Sequence, residues 1–430
     1  KGALDALDGH QPQSAIAKLN EEMDLESADQ LPADMRTDDA LLVLDRGTIQ
    51  LSVGDYARGV RDLTAADKAI ELLSMSRDGA DDLGKYLFSD DVGPYKAPAY
   101  EKLMINTLGL VGFLAQHDLE SARVEARRLA ITQKALEEEE EEGTNLLSVG
   151  SYLAGFAFEK SGKPDDALLF YEEALTMQRF PSLRDPLRVL TRGQPKTPEI
   201  KALIGDAGPL DAVGATGECD LLLLVAYGRV PQKEPRRIPV GLALTLASGA
   251  LSPNDQARAN ELAAKGLVTW VNYPALGDGK GAASKASVAL NGKPLALEHA
   301  LDVEGEVRRA YAEQEGTIVA SAIVRMIARV AVSEGAHAIG RASDGSGRKK
   351  GNTGGTIGLI AGLAAAATMT AVDTPDTRSW STLPSRMELL RVRIPAGKHT
   401  LRVEARGSTR EIALTAAPGN WLFVPVFVLR

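Results

Sequence analysis

The residues able to do chemistry are few and scattered. The histidines His10, His117, His299, His337 and His399 show no metal-ligand spacing, and Cys219 is the single cysteine. One cysteine excludes an intrachain disulfide and a cysteine zinc cluster. Beside the apolar run Asp220–Tyr227, it reads as a small buried hydrophobe in preference to a nucleophile. No Gly-x-x-x-x-Gly-Lys-Ser/Thr, His-Glu-x-x-His or Gly-x-Ser-x-Gly motif occurs. The loop Asp344–Gly355 (DGSGRKKGNTGG) holds glycines and lysines but follows a helical stretch, without the strand that a phosphate loop needs. Glu137–Glu142 is an unbroken glutamate run. It would hold a metal or polycation only if its carboxylates converged, and a run at a helix end reads instead as a solvated face. The expectation is a chain with no catalytic set, no cofactor and no metal.

What remains is chemistry of recognition. Tyr95 and Tyr100 stand in a proline-stiffened loop, FSDDVGPYKAPAY, where they either pack under neighbouring helices or anchor a partner. Arg123, Arg127 and Arg128 in ARVEARR project from a helix, either into inter-helix salt bridges or toward a partner's carboxylates. Arg229, Lys233, Arg236 and Arg237 in YGRVPQKEPRRIP form a basic, proline-punctuated loop suited to an acidic protein or anionic headgroups. In TPDTRSWSTLPSR, Asp373 or Asp376 can pair with Arg378 while Pro375 and Pro384 stiffen both sides. Trp380 then reads as the apolar body of a structural clamp, sealing a small-residue helix against the first C-terminal strand.

The elements that position these groups fall into two halves. A chain of 430 residues is too long for one core. Its net charge of -9 argues against a nucleic-acid partner. The first half, 1–190, is helical. SYLAGFAFEKSGKPDDALLFYEEA places Gly155, Phe158, Gly162, Ala167, Tyr171 and Ala174 at the spacing of a tetratricopeptide unit. The small residues let two antiparallel helices approach, Phe158 and Tyr171 fill between them, and Gly162 opens the turn. DRGTIQLSVGDYARGVRDLTAA and LVGFLAQHDLESARVEA repeat the grammar at Gly47, Gly54, Gly59 and Ala66, and at Phe113, Asp118 and Ala122. Residues 191–217 read as a linker.

The second half, 218–430, reads as an α+β domain with a mostly antiparallel sheet. Asp220–Tyr227 and Arg237–Leu246 suit buried strands, Asn254–Lys265 a helix capped by Ser252 or Asn254, and Asn291-Gly292 a two-residue hairpin turn. A long helix should run from Val303 to Arg341 with Ile323, Val324, Ile327, Ala328 and Val330 on its buried side. Met387–Val428 alternates as strands, with turns at Pro395–Lys398, Arg406–Ser408 and Pro418–Asn420. Gly354, Gly358 and Gly362 give the stretch 354–372 a small-residue face. That face fits tight packing inside the protein, or contact with a membrane or partner helix.

Four blocks, DVGPYKAPAYE (Asp91–Glu101), ARVEARR (Ala122–Arg128), YGRVPQKEPRRIP (Tyr227–Pro239) and DTPDTRSWSTLP (Asp373–Pro384), together resemble the tetratricopeptide-containing lipoproteins of the bacterial envelope. The resemblance implies a helical-repeat half, a C-terminal α+β half, and a secretory signal with a lipidated cysteine upstream of Lys1. It also implies a place at the cell envelope, associated with the outer membrane on its periplasmic or surface side. The function expected is a non-catalytic scaffold or assembly subunit. Its partners would be other envelope proteins, within a homo-oligomer or a multi-subunit assembly. An envelope- or peptidoglycan-modifying enzyme, or a membrane-contacting subunit using 354–372, stand as alternatives.

Overall fold

The structure, a computed structural model, describes residues 2–35, 38–75, 95, 97–138, 146–194, 197–280, 285–343 and 374–430. The stretch 344–372, most of the loop 88–100 and the glutamates 139–142 lie outside the described residues. The helical half begins with α1 (Gly2–Asp8) and α2 (Pro12–Glu22). Three helix hairpins follow: α3 (Asp39–Ser52) with α4 (Tyr56–Met75), α5 (Ala99–Ala115) with α6 (Leu119–Glu138), and α7 (Leu147–Lys160) with α8 (Pro164–Met177).

Composition assigns the two helices of each hairpin different places. The first, such as LSVGSYLAGFAFEK, is apolar nearly all round, and every residue from Leu147 to Phe158 is buried. Such a helix must be covered on all sides. The second is amphipathic and keeps a wet face, as in α6, where Glu120, Val124, Arg127, Ile131 and Lys134 are exposed at helical spacing. Close approach needs small residues. A Cβ on Gly155 would lie 2.5 Å from the Tyr171 ring, and one on Gly47 would lie 3.1 Å from the Gly59 carbonyl. The turn glycines Gly54 and Gly162 take φ of 85° and 69°, the left-handed region that glycine adopts without steric cost.

The first helices are covered on their far side by a sheet. Strand β1 (Glu218–Tyr227) lies at its centre; β2 (Lys233–Pro239), β3 (Trp270–Leu276), β4 (Ser287–Leu290), β5 (Lys293–Leu295) and β6 (Glu298–Asp302) come next. The chain ends in β7 (Arg386–Pro395), β8 (Gly397–Ala405), β9 (Ser408–Ala416) and β10 (Trp421–Val428). The central sheet has the order β10-β1-β7-β6, and a second sheet the order β5-β4-β8-β9. Every described pairing is antiparallel except β1 with β10, which run parallel from Asp220↔Trp421 to Tyr227↔Val428. Because side chains alternate across a strand, DLLLLVAY splits between two cores. Leu222, Leu224 and Ala226 join the helices; Leu221, Leu223, Val225 and Tyr227 join Leu401, Val403 and Leu414 of the second sheet. The molecule is therefore layered: helical array, central sheet, outer sheet. Its class is α+β.

Between α8 and β1 run a 3-10 turn (Pro181–Leu183) and α9 (Arg184–Leu190), then α10 (Pro198–Ile204) and α11 (Val213–Thr216). Ile200, Leu203 and Ile204 of this stretch are buried in the same core as the repeat helices and β1. A smaller lobe packs the β2–β3 ribbon against α12 (Val240–Leu246), α13 (Pro253–Ala264) and the long α14 (Val303–Ser343).

Two local expectations are corrected in that lobe. Arg237–Leu246 is not one strand: Pro239, lacking an N–H for further ladder bonds, ends β2, and Val240–Leu246 turns helical with Ala243 and Ala247 buried one turn apart. The apolar residues that α14 buries in this lobe are Val319, Ala320, Ala322 and, as expected, Ile323, while Val324 is 42% exposed because the lobe covers only one side of the helix. Ser252 caps α13 by accepting from the Asp255 N–H at 3.1 Å. Asn291 and Gly292 take φ of 51° and 79° in the β4–β5 hairpin, a type I′ geometry. The substitution Gly155→Val should cost about 1–3 kcal/mol by overpacking Tyr171. Urea unfolding checks it, and a wild-type midpoint would mean that the hairpin is not this tightly apposed.

Candidate functional site

Two polar junctions join the helical array to the sheet half. The first is built by residues 376–385. Asp376 accepts from the Arg378 N–H (3.0 Å), Nε (2.9 Å) and Nη2 (2.7 Å), which fixes the guanidinium over the Tyr95 ring at 5.8 Å. Trp380 is fully buried. Its Nε1 donates to Thr48 Oγ1 on α3 and its backbone N–H to Glu101 Oε1 on α5, both at 3.0 Å. Glu101 Oε2 accepts from Tyr95 Oη at 2.6 Å. Asp45 on α3 accepts from Ser381 Oγ (2.5 Å), the Thr382 N–H (2.9 Å) and Thr382 Oγ1 (2.8 Å). Pro384 is buried behind them. So Trp380, Ser381 and Thr382 tie the segment to α3 and α5, and Arg378 reaches Asp38 just before α3 at 3.3 Å. The small-residue stretch against which the sequence placed Trp380 lies outside the described residues.

Burial raises the Asp45 and Glu101 pKa values above the usual carboxylate range. The bonds from Ser381 and Thr382, and from Trp380 and Tyr95, pull back only in part. The hydroxyl and amide donors favour the ionised form of each acid, and burial outweighs them.

The second junction was not anticipated from the sequence. Arg391 on β7 reaches Asp220 on β1 (Nη2–Oδ2 2.6 Å), Glu159 at the end of α7 (Nη2–Oε1 2.7 Å) and Tyr171 Oη on α8 (2.9 Å). Lys160 Nζ bridges Glu159 (2.8 Å) and Asp220 (2.5 Å). Tyr171 Oη donates to Glu159 Oε2 at 2.5 Å. The Phe156 ring lies under both cations, 4.9 Å from the Arg391 guanidinium and 5.1 Å from Lys160 Nζ. Burial alone would raise the Asp220 and Glu159 pKa values, but Arg391 and then Lys160 outweigh it and hold both carboxyls below their ordinary range. A cavity of about 470 Å³ opens above this cluster. The available signal was a charged residue inside an apolar element: Asp220 heading LLLLVAY, Arg391 within LLRVRIP, and Glu159-Lys160 closing an apolar helix.

The remaining candidates do not converge on one site. Tyr95 and Tyr100 are 2% and 8% exposed, so they pack under the array and are withdrawn as partner anchors. Arg123 bonds its own helix at the Leu119 carbonyl, and Arg128 bridges Asp67 and Glu125. Arg127 is exposed over the Phe158 ring at 5.6 Å. Arg229 is 3% exposed and salt-bridged to Asp8, which removes it from any contact surface. Lys233, Arg236 and Arg237 lie on strand β2 where a loop was expected; Arg236 and Arg237 are exposed, and Arg237 Nε bonds Asn272. Large apolar side chains stand out from the surface at Val124, Ile131 and Leu169 on the outer helices α6 and α8.

Among the described residues, no group of His, Cys, Asp and Glu is arranged to hold a metal, and no helix is long and apolar enough to cross a membrane. No family model, curated protein or solved structure matches the chain.

Acid should act on the two junctions in opposite senses. With folded pKa values lowered, Glu159 and Asp220 contribute stability that is present above their unfolded values of 4.5 and 3.8 and is lost as pH falls below them. Arg391→Met should cost about 3–5 kcal/mol at pH 7, since it strands buried carboxylates. In urea unfolding followed from pH 7 to 3, the variant should also lose most of the acid-dependent decline. With its folded value raised, Asp45 contributes most when neutral, and that contribution fades as pH rises above 3.8. Asp45→Asn should therefore gain on wild type as pH rises from 4 to 7, and parallel profiles would refute the burial of a charged Asp45.

Proposed function

We propose that the protein is a non-catalytic recognition and assembly subunit of the bacterial cell envelope, of the tetratricopeptide-containing lipoprotein kind that its four sequence blocks resemble. On this reading the helix hairpins are divergent tetratricopeptide units, and a lipid anchor upstream of Lys1 holds the chain at the outer membrane. The inner faces of the hairpins are covered by the chain's own sheet, which leaves the outer helices to meet another protein.

One observation carries the proposal. Val124 and Ile131 are 51% and 69% exposed on α6, beside the exposed Arg127, and Leu169 is 66% exposed on α8. Single exposed apolar residues are ordinary, but Val124 and Ile131 are two turns apart on one helix, with Arg127 between them. Burying them against a partner at about 25 cal/mol per Å² would reward docking, and an arginine among apolar anchors is the usual make-up of an interface centre.

Gentle detergent extraction and affinity capture from native membranes tests this. The wild-type chain should retain a defined set of envelope proteins, and Val124→Glu with Ile131→Glu should lose them at an unchanged melting temperature. A wild-type chain that is recovered alone and monomeric removes the scaffold reading. A double variant that keeps the same companions moves the docking face elsewhere.

A further inference from the structure

The cavity above Arg391 is lined by four cations and three acids. Its floor is neutral within itself, because Arg391 and Lys160 are both engaged by Glu159 and Asp220. The one other acid in the lining, Asp185, pairs with Arg188, which does not line the cavity. Two further cations line it. Arg184 is exposed and has no hydrogen-bond or ion-pair partner among the described residues. Arg393 directs Nη1 to the Asp211 carbonyl at 2.8 Å, with Glu218 only at 3.8 Å. The lining also holds an apolar set, Pro186, Val189, Leu190 and Val213.

The geometry points to a ligand site for a small carboxylate carrying a short apolar body. The carboxylate lies toward Arg184 and Arg393, and the hydrocarbon part against Val189, Leu190 and Val213. A volume of about 470 Å³ is within the span of small-molecule pockets, about 300–1,000 Å³. A guanidinium matches a carboxylate in shape as well as charge. A cationic ligand has no such welcome, since the carboxylates of the floor are already bound. The same chemistry is offered by a free short-chain acid and by the C-terminus of a peptide ending in an aliphatic residue.

Isothermal titration of the intact chain with isovalerate, N-acetyl-leucine and isoamylamine separates these cases. At least one carboxylate should bind saturably at one site, and the amine of the same shape should not. Saturation by isovalerate assigns the site to free acids; saturation by N-acetyl-leucine alone assigns it to peptide ends. Arg184→Ala, a surface change, should weaken binding tenfold or more, and Val213→Trp should abolish it by filling the cavity from its exposed wall. Circular dichroism confirms that both variants are folded. If neither carboxylate saturates, if the amine binds as well, or if folded variants bind like wild type, the cavity is no carboxylate site.

Discussion

A strand that is apolar on both faces has to be covered on both, and Asp220–Tyr227 imposes that demand on the whole molecule. One face of β1 takes the first helices of the three hairpins and the other takes the outer sheet. Neither covering layer is optional, because exposing either would put a row of leucines into water at a cost of roughly 2 kcal/mol for each side chain. The same demand explains why the repeat helices that meet the sheet are apolar nearly all round while their partners are amphipathic. It also explains why the hydrophobic core does not stop at the sequence boundary between the halves.

A wholly apolar seam would fix the layers together without fixing their register. The two polar junctions supply what hydrophobic burial lacks, which is direction. At one end, Asp45 and Glu101 grip the backbone and hydroxyls of residues 380–382; at the other, Arg391 is held by acids from a helix and a strand. Each leaves a buried charge or hydrogen-bonding group stranded if the layers slide, and such groups cost far more unpaired than they contribute when paired. Register in this protein is specified electrostatically and adhesion apolarly. The two junctions do so with different charge logic: Arg391 and Lys160 grip the acids of one, while Asp45 and Glu101 of the other are held by hydroxyls and backbone amides.

The sequence disclosed what is local and concealed what is assembled. Period and spacing marked the three helix hairpins, the β1 run, the Asn291-Gly292 turn and the Ser252 cap, since each is decided by neighbours within a few residues. The same local reasoning singled out Trp380 and Arg378, because a tryptophan between stiffening prolines is conspicuous. It could not supply the hydrogen-bond partners of Trp380, as Thr48 and Glu101 lie hundreds of residues away. Arg391, Asp220 and Glu159 escaped notice because each looks ordinary in its own window; only the layering of β7, β1 and α7 makes them one cluster. Arg229 erred the other way, reading as a surface group until its salt bridge to Asp8 is known, and Tyr95, left open between packing and anchoring, packs with its hydroxyl on Glu101.

The parallel pairing of β1 with β10 has a consequence in time as well as space. The two strands are separated by roughly 190 residues of chain, which at about 5–20 residues per second of synthesis is some ~10–40 s. Through most of that interval the most apolar strand of the protein lacks both native neighbours, because β7 is also made late, and an open apolar edge is a template for pairing with another chain. Helices α3, α5 and α7 are made first and can cover one face of β1 as it emerges. The early helical half thus acts as a shelter for the central strand during synthesis, holding it until Trp421–Val428 arrives to close the sheet.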